Sequence, residues 1–142
     1  MVNGDRQLDK LYAARFTAKQ LKAKEKLWKI LCSQFLQRYV PHESTVVDLG
    51  AGFCEFINNI ECRTKFAVDV APHAVRYANS GVVVKSTLSE LPSSSVDVVF
   101  CSNFFEHLPS KEKMVQILLE IWRVLRPLGT VMIIQPNIYY AY

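Results

Sequence analysis

Glycine and proline are scarce. The 142-residue chain holds five of one and six of the other, which excludes collagen-like and low-complexity chains. Half of the residues are apolar and 21% are charged, the balance of a chain that can build a core and not of a disordered one. No apolar run reaches the roughly 18–20 residues that a membrane span needs. The N-terminus, Met1-Val2-Asn3-Gly4-Asp5-Arg6, leads into a charged amphipathic pattern without a secretory-signal core. Cys32, Cys54, Cys62 and Cys101 lie far apart and form no C-x-x-C pair, so neither a disulfide framework nor a metal site is expected. These absences point to a cytoplasmic chain with no membrane association.

The formal net charge of +4 is unevenly spread. Residues 1–40 carry nine Lys/Arg against three Asp/Glu, and residues 41–142 carry eight against ten. Lys19, Lys22, Lys24, Lys26 and Lys29 read as the solvated face of an amphipathic helix. They lack the Arg-rich, aromatic-interleaved character of a nucleic-acid surface, and no nucleic-acid partner is expected.

Residues 5 to about 40 follow a helical period through Leu8, Leu11, Tyr12, Phe16, Leu27, Trp28, Leu31, Phe35 and Leu36, with a bend expected near 17–21. Pro41 stops the pattern. The rhythm then changes. Thr45-Val46-Val47-Asp48-Leu49 is a nearly continuous apolar run, the mark of a strand covered on both faces of a parallel sheet. A helix over 53–60, a strand over 65–70, a helix over 72–79 and strands over 82–85 and 96–101 follow. Ser110 reads as the N-cap of a long helix whose buried stripe is Met114, Leu118, Ile121, Trp122 and Leu125. A fifth strand is expected over 130–135, ended by Pro136. Strands alternating with helices predict an α/β, doubly wound parallel sheet. Its ligands bind beyond the carboxyl ends of the strands, where strand order reverses.

The chemistry concentrates there. Gly50 and Gly52 in Asp48-Leu49-Gly50-Ala51-Gly52 let the chain turn sharply and let a ligand meet bare backbone. Asp69, about twenty positions on, is the usual partner of a ribose diol. A dinucleotide fold wants a third glycine where Glu55 stands. A carboxylate in the first helical turn opposes phosphate, and Asp48 adds a second negative charge. The pattern suits an adenosine ligand with a cationic part and no phosphate, which describes S-adenosylmethionine.

From about Ser44 to Asn137 the sequence resembles the class I S-adenosylmethionine-dependent methyltransferases, and among them the broad type 11 small-molecule group. The resemblance is carried by Asp48–Gly52, Asp69, Leu91-Pro92, Val96–Asn103, Glu106-His107-Leu108 and Val124-Leu125-Arg126-Pro127-Leu128-Gly129. It implies a Rossmann-like sheet in order 3-2-1-4-5, a helical segment over 1–41 on the cofactor and substrate side, and a cofactor domain over 42–142. Asp48, Gly50, Ala51 and Gly52 would line the methionine part of the cofactor, Asp69 would hold the ribose hydroxyls, and Val70 would pack on adenine. Ser102 and Asn103 would lie near the methionine end. Tyr12 would cap the cofactor and Arg15 would meet a carboxylate. Where the group often has an Asp before the Leu-Pro pair this chain has Thr87, which shifts adenine recognition to backbone and to Leu88. Complete members add two strands after the fifth, so strands 6 and 7 are expected to be missing and the chain to be truncated, with a natural short form as the alternative.

The expected activity is in-line methyl transfer to a small-molecule or glycan-type metabolite. Histidine ordinarily titrates near neutrality, which makes His107 the candidate general base, with Glu106 serving similarly or holding its tautomer. Trp28 and Trp122 fall on apolar stripes and read as core, as do Cys54 and Cys101. Two other readings stay open. One is a non-catalytic or degenerate half-domain that forms a homodimer through the exposed edge of the fifth strand. The other is an NAD-linked oxidoreductase, disfavoured by Glu55.

Overall fold

The computed structural model describes residues 18–71, 73–137 and 139. Five strands form one parallel sheet in order β3-β2-β1-β4-β5: β1 (Thr45–Leu49), β2 (Thr64–Val68), β3 (Val82–Lys85), β4 (Val96–Ser102) and β5 (Leu125–Ile134). Among the described residues four α-helices accompany them: α1 (Ala18–Gln34), α2 (Glu55–Asn59), α3 (His73–Tyr77) and α4 (Lys111–Val124). The expected sheet and strand order are therefore present. None of the described helices is long and apolar enough to cross a membrane.

All five residues of β1 are buried, because β2 and β4 pair with its edges and helices cover its faces. Successive side chains of a strand point to opposite faces, and this divides the core in two. On one face Val46, Phe56, Val98 and Phe100 pack with Cys32, Leu36 and Val40. The rings of Phe56 and Phe100 stack with centroids 3.8 Å apart, and Trp28 meets Phe100 edge-on at 6.2 Å. On the other face Val47, Leu49, Val99 and Cys101 pack against Ile121 and Val124 of α4. Ser110 caps that helix as expected, its hydroxyl accepting from the Lys113 N–H at 3.2 Å.

Trp122 and Leu118 correct the sequence reading of α4. They are 77% and 41% exposed. The stripe that meets the sheet runs through Ile117, Ile121 and Val124. A second apolar stripe, Val115, Leu118, Leu119 and Trp122, also has helical spacing (i, i+3, i+4, i+7) and faces outward. Periodicity cannot say which of two equivalent stripes is buried.

Boundaries also shift. Helix α2 starts at Glu55 because Cys54 turns left-handed at φ 60°. Strand β2 ends at Val68. Strand β5 begins directly at Leu125, and its register to β4 jumps from Val96–Leu125 to Val98–Thr130. Arg126-Pro127-Leu128-Gly129 bulges out there, with Leu128 at φ 66°. A Cβ at Gly129 would lie 2.9 Å from the Arg126 carbonyl oxygen, so only glycine fits.

One carboxylate ties the strand beginnings together. Asp97 accepts two hydrogen bonds from Arg126 Nη1, at 2.7 and 2.8 Å, and one from the Thr45 N–H at 2.7 Å. Partial burial raises its pKa, but the Thr45 N–H and the Arg126 guanidinium outweigh that and hold it below the usual carboxylate value. A depressed pKa stabilises the fold above the unfolded pKa and loses that stability as pH falls through the folded one. Asp97→Asn should therefore cost about 1–3 kcal/mol at pH 7 and flatten the loss of stability below about pH 4, as read from urea midpoints across that range.

Candidate functional site

Strands β1, β2 and β4 end side by side, Leu49 lying opposite both Val68 and Cys101. The loops that leave them share one cavity of about 420 Å³. After Leu49 the chain folds back onto β2: the Gly50 and Ala51 N–H groups both donate to the Val68 carbonyl, at 2.8 and 3.3 Å. Gly50 has φ 73° and Gly52 φ 48°. A Cβ on Gly50 would meet Phe104 Cδ2 at 2.5 Å, whereas one on Gly52 would find its nearest neighbour at 3.9 Å. Conformation alone asks for glycine at 52; conformation and crowding both ask for it at 50.

Asp69 straddles this turn. Its Oδ2 accepts from the Gly52 N–H and its Oδ1 from the Ala71 N–H, each at 2.8 Å. Each carboxylate oxygen keeps a further lone pair for another donor. Asp48, 4% exposed, lines the cavity floor, and its nearest hydrogen-bond donor is the Ile57 N–H at 3.4 Å. Desolvation pushes its pKa up to about 8; the Ile57 N–H opposes this, and the carboxylates of Glu55 and Asp69 add to it. A buried acid held near neutrality in a cleft is suited to meeting a cation.

Helix α1 supplies the opposite wall through Lys24 and Trp28. Lys24 Nζ pairs with Glu55 Oε1 at 2.6 Å and lies 5.7 Å from the centre of the Phe53 ring. This changes one sequence argument: Glu55 is neutralised, so its opposition to phosphate is smaller than an unpaired carboxylate implies. The case against phosphate then rests on the Asp69 carboxylate, since Asp48, with its pKa pushed up to about 8, carries a proton near neutrality. Phe53, Phe56, Phe100 and Phe104 complete a wall rich in aromatic rings.

The loop after β4 closes the remaining side. Ser102, Asn103, Phe104 and His107 line the cavity. Asn103 sits at φ 49° and donates from Nδ2 to Ser102 Oγ at 3.1 Å. His107 Nε2 is 4.0 Å from Glu106 Oε1.

Of the expected site residues, Asp48, Gly50, Ala51, Gly52, Asp69, Ser102, Asn103 and His107 come together around this cavity. Val70 stands beside Asp69, 88% exposed and outside the lining. Thr87 caps the short turn Leu88–Glu90, and Leu88 is buried in the core against α4. Arg123 pins that turn to α4 by donating to the Leu88 and Leu91 carbonyls at 3.0 and 2.9 Å, which directs Leu88 away from the cavity. Glu106 lies outside the lining, and Tyr12 and Arg15 lie outside the described residues. Sequence reasoning missed Lys24, Phe53 and Phe104, and placed Trp28 wholly in the core. Lys24 and Trp28 are four residues apart and so share a helix face, the one signal that linked them. Cys54 and Cys101 are buried, and desolvation pushes both thiols up to about 12, consistent with core roles.

Gly50→Ala tests the crowding of the turn. The substitution forces alanine to a positive φ and drives its methyl into Phe104, and should cost about 1–3 kcal/mol of stability as measured by urea denaturation.

A family model described as a methyltransferase domain matches residues 47–133. A search of curated proteins found no match. Among solved structures, the chain is similar to an S-adenosylmethionine-dependent methyltransferase from Archaeoglobus fulgidus at 23% identity and a TM-score of 0.66, covering 80% of this chain and 54% of that one. It is similar to another from Aquifex aeolicus at 24% identity and a TM-score of 0.60, covering 83% and 72%. A third, from Thermotoga maritima, is described as a possible histamine N-methyltransferase; it is 20% identical with a TM-score of 0.60, over 78% of this chain and 53% of that one. The chain thus spans about half the length of the Archaeoglobus and Thermotoga proteins. With the family model running from β1 through β5 and taking in the glycine turn, Asp69 and the β4 loop, the chain belongs to the methyltransferase-domain family.

Proposed function

We propose that the chain binds S-adenosylmethionine in the cavity at the ends of β1, β2 and β4 and serves methyl transfer to a small-molecule or glycan-type acceptor. The observation that carries this is the bare-backbone turn Gly50–Gly52 set between the carboxylates of Asp48 and Asp69. With Glu55 already paired to Lys24, Asp69 and the ionisable Asp48 remain as acceptors there, a lining suited to a ligand with sulfonium and ammonium groups. When bound, S-adenosylmethionine supplies a methyl group activated by its sulfonium charge, for in-line displacement.

The chain's own residues divide the work. Asp69 has acceptor capacity left for ribose hydroxyls beyond its two backbone bonds. Val70, exposed next to it, offers apolar surface to adenine. Asp48 and the Gly50–Gly52 turn face the cationic portion, with Ser102 and Asn103 beside it. Trp28 and Phe104 narrow the cavity and exclude water around the reacting groups. His107, on the loop that follows β4, accepts the proton an acceptor hydroxyl or amine must lose. A small acceptor is favoured because α1 lies across the cavity, Lys24 holding Glu55 and Trp28 touching Phe100. The Thermotoga protein, described as a possible histamine N-methyltransferase, is in line with an acceptor of that size.

Titration calorimetry with S-adenosylmethionine and S-adenosylhomocysteine tests the reading, and folded protein that binds neither at millimolar ligand overturns it. Asp69→Ala should weaken binding by about 1.5–3 kcal/mol, the worth of hydrogen bonds to a charged acceptor. An unchanged dissociation constant would remove Asp69 from the site.

Asp48 adds a pH dependence with a defined sign. With its pKa raised to about 8, it carries a proton at pH 6–7, and a bound cation favours the carboxylate. Affinity for S-adenosylmethionine should therefore rise between pH 6 and 8, up to about tenfold per unit, with a proton released on binding. Asp48→Asn should abolish both the slope and the proton release, as measured by calorimetry in buffers of different ionisation enthalpy.

A further inference from the structure

Gln135 directly follows the last residue of β5 and uses both ends of its side-chain amide on the loop that leaves β4. Its Oε1 accepts from the Phe104 and Phe105 N–H groups at 3.3 and 3.4 Å. Its Nε2 donates to Glu106 Oε2 at 2.6 Å. The opposite orientation of the amide would set donors against the two N–H groups and an oxygen against the carboxylate, so the network allows only this one. A backbone bond beside it, Asn103 N–H to the Ile134 carbonyl at 2.9 Å, makes the same crossing between the two strand ends.

The stapled loop carries the cavity-lining Phe104 and His107. Phe104 presses its ring on Gly50, and His107 is reached through Glu106, whose second oxygen lies 4.0 Å from His107 Nε2. Asn103 at φ 49° starts the loop in a conformation that non-glycine residues rarely hold unaided. The 3-10 turn Phe105–His107 has no side-chain cap of its own. Gln135 is the side chain that satisfies its leading N–H groups.

We propose that Gln135 is a positioning residue: it holds the loop of Phe104 and His107 against the cofactor cavity from the end of β5. The cofactor half of this inference rests on the assignment of that cavity to S-adenosylmethionine; the staple does not.

Gln135→Met removes acceptor and donor together. Amide exchange at Phe104 and Phe105 should become about tenfold faster, the equivalent of roughly one hydrogen bond. S-adenosylhomocysteine should bind about tenfold more weakly by the same measure, with the urea midpoint lowered by no more than the loss of that one bond accounts for. Gln135→Glu keeps the acceptor but sets a second carboxylate against Glu106, and should also weaken binding. Adding Glu106→Gln restores the pair with its polarity reversed and should recover wild-type affinity to within about twofold, a coupling a merely structural role would not produce. Wild-type exchange and affinity in Gln135→Met would overturn the proposal, as would a double variant no tighter than Gln135→Glu. If the unsubstituted chain binds no S-adenosylhomocysteine, the cofactor assignment fails, and the exchange rates decide for or against the staple.

Discussion

Strand β1 is paired along both edges and covered on both faces, and the glycine turn, the Asp69 carboxylate and the β4 loop all take their positions from that strand. Its last residue, Leu49, lies opposite Val68 and Cys101, which brings three strand ends to one level. The turn at Gly50, the carboxylate of Asp69 and the loop at Asn103–His107 leave the sheet together for that reason. Parallel pairing is the cause: in an antiparallel sheet neighbouring strands would end on opposite sides. The return of the Gly50 and Ala51 N–H groups to the Val68 carbonyl then fixes the turn against β2.

The same strand places the least favourable group in the molecule. Asp48 sits in a run that is otherwise apolar or hydroxylic, and it is almost fully buried. Desolvating a carboxylate opposes folding, and its backbone partner at 3.4 Å offsets little of that. Groups that cost stability where a ligand binds are the ones a ligand can relieve. Lys24 attends to Glu55 at the rim and leaves the floor acidic. The acids of the cavity are thus arranged by depth, ion-paired at the mouth and held protonated at the base near neutral pH.

Much of this was legible in the sequence because it is local. Thr45–Leu49 announces a doubly covered strand by lacking alternation, Gly50 and Gly52 announce a turn, and Ser110 a helix start. Asp69 follows at a spacing fixed by one strand–helix–strand unit. What stayed hidden depends on contacts between distant segments. Leu88 and Thr87 were tied to adenine by resemblance, yet Arg123, 35 positions beyond Leu88, pins their turn to α4. Lys24 and Trp28 face the cavity only because α1 crosses the sheet at one angle, which no spacing encodes. Gln135 looked like the end of a strand, and its role needs a loop 30 residues earlier.

The outward stripe of α4 has a consequence for how the domain meets water. Val115, Leu118, Leu119 and Trp122 keep hydrocarbon wetted along two turns of one helix, and no rearrangement of that helix can hide it, since Ile121 and Val124 already commit the opposite side to the sheet. Rotating α4 to bury Trp122 would strip the floor beneath Val99 and Cys101. Among the described residues that flank shows oil to water, and protein concentration and added amphiphiles become part of its effective environment.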